Sequence, residues 1–169
     1  QEQLTPLGVL LAQLPVDPRI GKMMLFGTVF RCLEPTLIIA ASLSFRSPFF
    51  SPFDKRAEAD AVKRRFASAS DHLTLLHAFA RWCRARREGR TAEREYVHEN
   101  FLSGQTLRMI EKMKNQFKQL LRQISFFRRS AEHEYNTNSN NLGLVKAVLV
   151  AGLYPNVVKV KGGGGAAGG

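Results

Sequence analysis

The stretch SGQTLRMIEKMKNQFKQLLRQI, residues 103–124, has the clearest helical pattern in the sequence. At 100° per residue its large apolar side chains fall on one side of a helix: Leu107, Ile110, Met113, Phe117, Leu120, Leu121 and Ile124. Arg108, Lys112 and Arg122 fall on the opposite side. Ser103 precedes the first turn, where its hydroxyl can accept a hydrogen bond from a free backbone N–H. The pattern predicts a helix with one face in a core and one basic face.

Further helices are predicted on both sides of this one. Thr5-Pro6 and Asp17-Pro18 each place a capping side chain before a proline, as the first turn of a helix favours, and Glu34-Pro35 repeats the pattern less well. Asp71 is predicted to cap a helix of its own. The predicted helices span about 6–14, 18–31, 35–44, 55–67, 71–87, 103–124 and 142–153. The predicted fold class is therefore mainly α, a helical bundle.

The segment SPFFSPF, residues 47–53, cannot continue a helix. Its two prolines lack an N–H donor and push the preceding serines into extended geometry. We expect a loop here. Its three phenylalanines could stack on nucleic-acid bases or fill the seam between helix pairs, and the sequence leaves both readings open.

Toward its end the chain changes character. The polar tract NTNSNN, residues 136–141, predicts a flexible loop at a domain boundary. Residues 157–161, VVKVK, alternate apolar and basic side chains and predict the start of a strand, for which the sequence offers no partner. The final GGGGAAGG has no side chains to pack and is expected to be disordered.

The charge points to an anionic partner. Lys and Arg number 25 against 14 Asp and Glu, which gives a net charge of +11 and a pI near 10.3. A polyanion is the natural ligand for such a surface. The longest apolar run, residues 37–43, is too short to span a membrane, and no secretory leader is visible. We therefore expect an intracellular protein of the cytoplasm or nucleus, without a membrane partner.

The residues that would support catalysis are missing. The single Gly-Lys pair, Gly21-Lys22, is followed by Met instead of Ser or Thr, so no phosphate-binding loop is present. His72 and His77 lie five residues apart rather than the four that would place two metal ligands on one helical face. Cys32 and Cys83 are expected to be reduced and buried. We expect this chain alone to have no catalytic residue, cofactor or metal.

Six blocks of the sequence, in order, resemble the C-terminal helicase-associated region of DEAH-box RNA helicases. They are LTPLGVLLAQLPVDPRIGKMMLFG (4–27), CLEP (32–35), SPF (47–49), SDHLTLLHAF (70–79), NFLSGQTL (100–107) and LVKAVLVAGLYPNVVKV (144–160). The resemblance implies the end of a winged-helix domain at 1–14 and a ratchet-like bundle at 15–127. It further implies a loop at 128–141 and the start of an OB-fold at 142–161, before the tail at 162–169.

The resemblance also implies a function and a set of contacts. In that family, single-stranded RNA runs between this region and two motor lobes that bind ATP and Mg²⁺ and hydrolyse the ATP. Carried onto this sequence, and together with the basic helix face, the candidate RNA-binding residues are Ser47, Pro48, Phe49, Ser70, Asp71, His72, Asn100, Gln105, Arg108 and Lys112. Many family members have Arg where this chain has Gln105, so we expect Arg108 to supply the missing charge.

Two functions follow as hypotheses. The first is a region that guides RNA largely through its backbone, working with the motor lobes of an ATP-dependent helicase. The second is a protein-interaction module, because arginine-rich helices also bind acidic partners such as a helicase activator. The salt dependence of oligonucleotide binding distinguishes the two.

Overall fold

The computed structural model describes residues 4–66 and 70–154. Within them the chain forms eight α-helices and three short 3-10 helices. The α-helices are α1 Pro6–Ala12, α2 Pro18–Val29, α3 Leu33–Ser44, α4 Arg56–Arg65, α5 Asp71–Glu88, α6 Arg90–Glu99, α7 Gly104–Gln123 and α8 Leu142–Leu153. The 3-10 helices are Phe53–Lys55, Arg129–Ala131 and Glu134–Asn136. The mainly α prediction is confirmed. The predicted strand at 157–161 and the tail at 162–169 lie outside the described residues.

The predicted caps of α1, α2 and α7 are confirmed. The side chains of Thr5, Asp17 and Ser103 each accept a hydrogen bond from a backbone N–H two or three residues further on, at 3.1, 2.8 and 3.2 Å. These bonds satisfy N–H groups that have no partner inside the helix. They also fix where each helix begins, which matters most for Ser103 because the candidate site lies at that end of α7.

The predicted cap of α5 is wrong by one residue. Ser70 has an extended backbone, φ −137° and ψ 129°, so it is the N-cap and Asp71 is the first helical residue. In that position the Asp71 carboxylate is favoured by the positive end of the helix dipole. It also forms an ion pair with Lys63 of α4, with 2.9 Å between Nζ and Oδ1.

Helix α6 was not predicted. Its ten residues include only two large apolar side chains, Tyr96 and Val97, so the sequence shows no long apolar stripe there. Gly89, at φ 130°, allows the chain to reverse between α5 and α6 in a conformation that side-chain-bearing residues rarely adopt. The Tyr96 hydroxyl donates to the carbonyl of Ala78 at 3.0 Å and ties α6 to α5. Burial raises the pKa of Tyr96 to about 12, so this donor keeps its proton at neutral pH.

Helix α3 is the centre of the core, with an unbroken buried run from Pro35 to Ala41. It packs against α2, α5, α7 and α8. Two glycines allow helices to approach closely. A Cβ at Gly27 would lie 2.8 Å from Cβ of Thr36, and a Cβ at Gly152 would lie 2.2 Å from Cγ of Met23. This packing turns the apolar face of α7 inward and leaves Arg108 and Lys112 exposed.

The segment between α7 and α8 makes more contacts than a free loop would. The Asn136 side-chain oxygen accepts the N–H of Glu34 at 2.7 Å, and the Asn138 N–H donates to the carbonyl of Arg31 at 2.8 Å. Phe127 is buried and its ring lies 5.2 Å from that of Tyr135. The sequence predicted a flexible loop at 128–141 and did not anticipate the contacts of Asn136 and Asn138, because their partners lie about 100 residues earlier in the chain. The proposed winged-helix, bundle and OB-fold boundaries stay predictions.

Candidate nucleic-acid interface

Two of the candidate segments meet in the structure. The loop at 47–50 and the turn at 100–104 form an isolated antiparallel bridge between Phe49 and Leu102. The Phe50 N–H donates to the carbonyl of Phe101 at 3.0 Å, and the Ser103 N–H donates to the carbonyl of Pro48 at 2.8 Å. Backbone hydrogen bonds therefore fix the loop against the start of α7, although about 50 residues separate the two segments.

The third candidate segment, residues 70–72, adjoins this bridge through Lys63. The Lys63 ammonium lies 5.5 Å from the centre of the Phe49 ring and is paired with Asp71. The Phe49 ring also packs edge-on against Phe66 at 5.9 Å. His72 is half-buried, and burial lowers its pKa, so the neutral form is favoured there. The three sequence-predicted segments thus lie on one side of the bundle.

The candidate residues differ in what their side chains can reach. Pro48 is buried and Phe49 is half-buried, and the Asn100 amide donates to the carbonyl of Tyr96 at 2.8 Å near the end of α6. These three hold the loop and the turn in place. Ser70 is half-buried. The exposed candidates are Ser47, Asp71, Gln105, Arg108 and Lys112.

Arg108 is anchored to the core through Glu93, a residue that no sequence pattern selected. An Arg108 Nη1–H donates to Glu93 Oε1 at 3.2 Å, and the Trp82 indole N–H donates to the same oxygen at 3.0 Å. The Glu93 side chain is 13% exposed and that of Arg108 is 57% exposed. A guanidinium has five N–H donors, so this single contact leaves Arg108 free to bind an anion as well. Trp82 is fully buried, which gives the pair a rigid base.

A groove of about 680 Å³ opens beside this pair, between α6 and the 47–50 loop. We call it the basic groove. Its charged lining consists of Arg90, Arg94 and Arg108 with Glu93, and its other lining residues include Phe50 and His98. Arg108 also lines a shallower patch of about 370 Å³ with Gln105, Met109 and Lys112. The basic groove therefore continues onto the outer face of α7.

A second groove lies on the far side of Phe50. It has about 600 Å³ and shares Phe50 and His98 with the basic groove. Its lining carries two cations, Lys55 and Arg65, against three carboxylates, Asp54, Glu58 and Glu99. We call it the mixed groove. The excess positive charge lies on the α6 and α7 side of Phe50.

The sequence did not identify Arg90, Arg94 or His98 as site residues, and it offered Phe50 only as one of three phenylalanines that could stack on bases or fill a seam. The signal was present in the arginine-rich run from Arg81 to Arg94, but a charged run of this kind is usually a solvated face. Once α6 is known to be a helix, Arg90 and Arg94 are four residues apart and share a face. Phe50 follows the SPF block directly, and its N–H is hydrogen-bonded to the carbonyl of Phe101, a contact that no local pattern predicts.

The described residues offer little for metal or thiol chemistry. No group of three or more His, Cys, Asp or Glu in residues 4–66 and 70–154 could hold a metal ion. Cys32 is buried and Cys83 is half-buried, and burial raises the pKa of both thiols. Across the same residues no helix is both long enough and apolar enough to cross a membrane.

Comparison with known proteins places the chain in a family. Residues 17–109 match the model of the helicase associated domain (HA2), ratchet-like. The human ATP-dependent DNA/RNA helicase DHX36 is 51% identical over 165 residues, and the DExH-box ATP-dependent RNA helicase DExH1 of Arabidopsis thaliana is 51% identical over 162. Each match covers 95% of this chain and 16% of the relative.

A third relative, the human putative ATP-dependent RNA helicase DHX57, is 49% identical over 180 residues, which cover 95% of this chain and 13% of the relative. The chain thus spans about one sixth or less of the length of these curated relatives. The family model covers more than half of the chain, from the N-terminus of α2 into α7. The chain therefore belongs to the ratchet-like helicase-associated (HA2) domain family found in DExH-box ATP-dependent RNA helicases.

Proposed function

We propose that this chain is the RNA-guiding part of an ATP-dependent RNA helicase, and that the basic groove holds single-stranded RNA mainly through its phosphates. The observation that carries the proposal is the set of three arginines, Arg90, Arg94 and Arg108, on a groove whose only carboxylate, among the described residues, is Glu93. The relatives are named as ATP-dependent helicases, and the chain matches a small part of each. ATP and Mg²⁺ would then be bound by other domains of the parent protein.

The chemistry of the groove fits a sugar-phosphate backbone. Arginine presents several N–H donors in a plane and keeps its charge at every physiological pH, which suits phosphate recognition. Three such side chains could neutralise about three phosphates, and each neutralised phosphate releases counterions. Lys112 extends this positive surface along α7, next to Gln105. The neutral amide of Gln105 can donate a hydrogen bond to RNA but adds no charge.

The proposal assigns the candidate segments different tasks. Pro48, Phe49 and Asn100 position the loop and turn, and Ser47, Gln105, Arg108 and Lys112 are exposed for contact. Ser70, Asp71 and His72 line neither groove; they adjoin the bridge through Lys63, which pairs with Asp71 and lies over the Phe49 ring. The motor lobes of the parent would close the channel over this face, inside the cell, in the cytoplasm or nucleus.

Titration of a fluorescent oligouridine at several salt concentrations tests the proposal. We expect log K to fall with log salt with a slope of about −2, which corresponds to roughly three phosphates on a single strand. Arg94→Ala should weaken binding about fivefold, the order of one charge-assisted contact, and flatten the slope by about 0.7. Arg122→Ala removes an exposed arginine at the other end of α7 and serves as the matched control.

The alternative, an acidic protein partner, gives a different result in the same assay. An oligoglutamate peptide of equal charge should compete poorly with oligouridine if the groove is built for phosphates. Competition at equal concentration, together with no effect of Arg94→Ala on oligouridine, would favour the protein-interaction module instead.

A further inference from the structure

Three phenylalanines in the 47–53 loop occupy three different environments. Phe49 is half-buried against Phe66, and Phe53 is 94% exposed. Phe50 is 48% exposed and lines both the basic groove and the mixed groove. The loop therefore does not serve only to fill a seam between helices, because one of its rings stands at the boundary between two open grooves.

The backbone of Phe50 is held firmly. Its N–H is bonded to the carbonyl of Phe101 at 3.0 Å, and two residues earlier the Pro48 carbonyl accepts the Ser103 N–H. The ring contacts that of Phe101 edge to face, with 6.2 Å between ring centres and 65° between ring planes. An edge-to-face contact on one side leaves ring surface uncovered. The backbone at Phe50 is thus fixed by hydrogen bonds, and its ring combines one contact with an exposed surface.

Its neighbours define the kind of ligand that fits. On one side lie the arginines of the basic groove, and His98 lines both grooves beside Phe50. A single-stranded nucleic acid has a charged backbone and flat aromatic bases on the same chain, so it matches an arginine cluster next to an exposed ring. The bases of a duplex are already stacked on each other and paired, which leaves no free base face for Phe50.

We propose that Phe50 is a stacking platform for one RNA base, at the edge of the basic groove. This inference rests on the proposed function and adds a base contact to a site otherwise defined by phosphates. Stacking on an aromatic ring tolerates any base, because every base has a π face. Phe50 therefore selects single-stranded over paired RNA without selecting a sequence.

The test compares two probes that carry the same phosphates. The 169-residue chain is titrated with a fluorescent oligouridine and with an abasic oligomer of the same length and backbone charge. Wild type should bind oligouridine about tenfold more tightly than the abasic strand, within the range of one stacked base. Phe50→Ala should remove most of that difference by weakening oligouridine binding and leaving abasic binding unchanged.

Three further variants make the result specific. Phe50→Tyr keeps the aromatic face and should bind both probes as wild type does. Phe50→Leu keeps an apolar side chain without a π face and should behave like Phe50→Ala, which covers the case in which the alanine variant fails to fold. Phe53→Ala removes the most exposed ring of the same loop, which lines neither groove, and should change nothing.

Two kinds of result would contradict the inference, and they can be told apart. Equal binding of both probes by wild type, or equal losses on both probes in Phe50→Leu, would show that Phe50 does not stack on a base, and the phosphate-binding proposal would survive. Absence of salt-dependent binding to either probe by wild type would overturn the proposed function and this inference together.

Discussion

Helix α7 carries four cations near its middle that fall into two groups. Lys114 and Lys118 are 12% and 16% exposed and pair with Glu34 of α3, and Lys118 also pairs with Glu132. Arg108 and Lys112 are exposed, and within the described chain Arg108 has Glu93 as its only salt-bridge partner and Lys112 has none. Residue type therefore does not decide the role of a charge. Burial and a fixed carboxylate make it structural, and exposure leaves it available to a ligand.

In the buried group, the charges of the lysines and their carboxylate partners compensate one another. Burial alone would raise the pKa of Glu34, but the charge of Lys114 and hydrogen bonds from Lys114 and Lys118 lower it below its usual value. Burial would lower the pKa of Lys118, yet its bonds to Glu132 and Glu34 raise it. Both shifts favour the charged forms, so the network stabilises the junction of α3, α7 and the 128–141 segment. We expect such a network to affect folding and to leave RNA binding unchanged.

The largest effect should come from the apolar face of the same helix. Phe117→Ala should lower the free energy of unfolding by about 3–5 kcal/mol, because Phe117 is buried and its loss leaves a cavity. Met109→Ala, an exposed apolar residue on α7, is the control and should cost less than about 1 kcal/mol. Urea unfolding followed by circular dichroism measures both. Equal losses would show that α7 does not pack in the assigned orientation.

The next largest effect should come from neutralising Glu34, the carboxylate that pairs with the buried Lys114 and Lys118. Glu34→Gln should cost about 1–2 kcal/mol of stability, less than a fully buried pair would, because a third of the Glu34 side chain is exposed. It should leave oligouridine affinity unchanged. Glu95→Gln makes the same charge change at an exposed position on α6 and should have little effect on stability.

The stability difference between wild type and Glu34→Gln should depend on pH in a defined direction. The folded-state pKa of Glu34 is lowered, so its contribution to stability is fully present above the unfolded-state value of about 4.3 and is lost as the pH falls through the lowered folded value. The stability difference between wild type and Glu34→Gln should therefore be constant near neutral pH and shrink on acidification. A difference that grows in acid would contradict the network.

Smaller effects are expected from the exposed cations. Arg108→Ala should weaken oligouridine binding by about 1 kcal/mol and flatten the salt slope by about 0.7. A small loss of stability, below about 1 kcal/mol, should accompany it, because Glu93 keeps only its bond to Trp82. Fluorescence anisotropy at two salt concentrations measures the binding change. Unchanged affinity and slope would make Arg108 a structural partner of Glu93 alone.

Lys112→Ala should have the smallest effect of the series. Lysine lacks the planar array of donors, and Lys112 lies on the shallow patch rather than in the basic groove. We expect about a twofold loss of oligouridine affinity, the order of one exposed charge, and no change in unfolding temperature. A loss larger than that of Arg108→Ala would move the centre of the RNA site along α7.

The contrast within α7 also explains which parts of the structure the sequence could predict. The apolar stripe, the cap at Ser103 and the exposure of Arg108 depend on neighbours within a few residues, and all three were predicted. Glu34, the partner that Lys114 and Lys118 share, lies 80 residues before Lys114, so no local pattern predicts the pairing. Most helices were predictable because an apolar stripe or a capping residue before a proline marks them. Helix α6 was missed because it has only two large apolar side chains, Tyr96 and Val97.

The candidate site, too, could be predicted only in part from the sequence. The family resemblance selected the segments at 47–49, 70–72 and 100–107, but it could not show that a bridge joins the first to the third. It also could not show that Pro48 is buried, or that Glu93 connects Arg108 to Trp82. These facts depend on tertiary contacts. The basic groove itself became visible only when Arg90 and Arg94 of α6 were brought beside Arg108.

The most direct test of the central claim compares two triple variants with the same change in net charge. Arg90, Arg94 and Arg108 line the basic groove, and Arg64, Arg122 and Arg129 are exposed elsewhere on the chain. Replacing the first three with Ala should lower oligouridine affinity by roughly 100-fold and flatten the salt slope by about 2, the sum of three phosphate contacts. Replacing the second three should change affinity about twofold at most, as weak contributions from exposed charges predict. Equal losses in the two triple variants would show that RNA responds to net charge alone, and would contradict a dedicated groove.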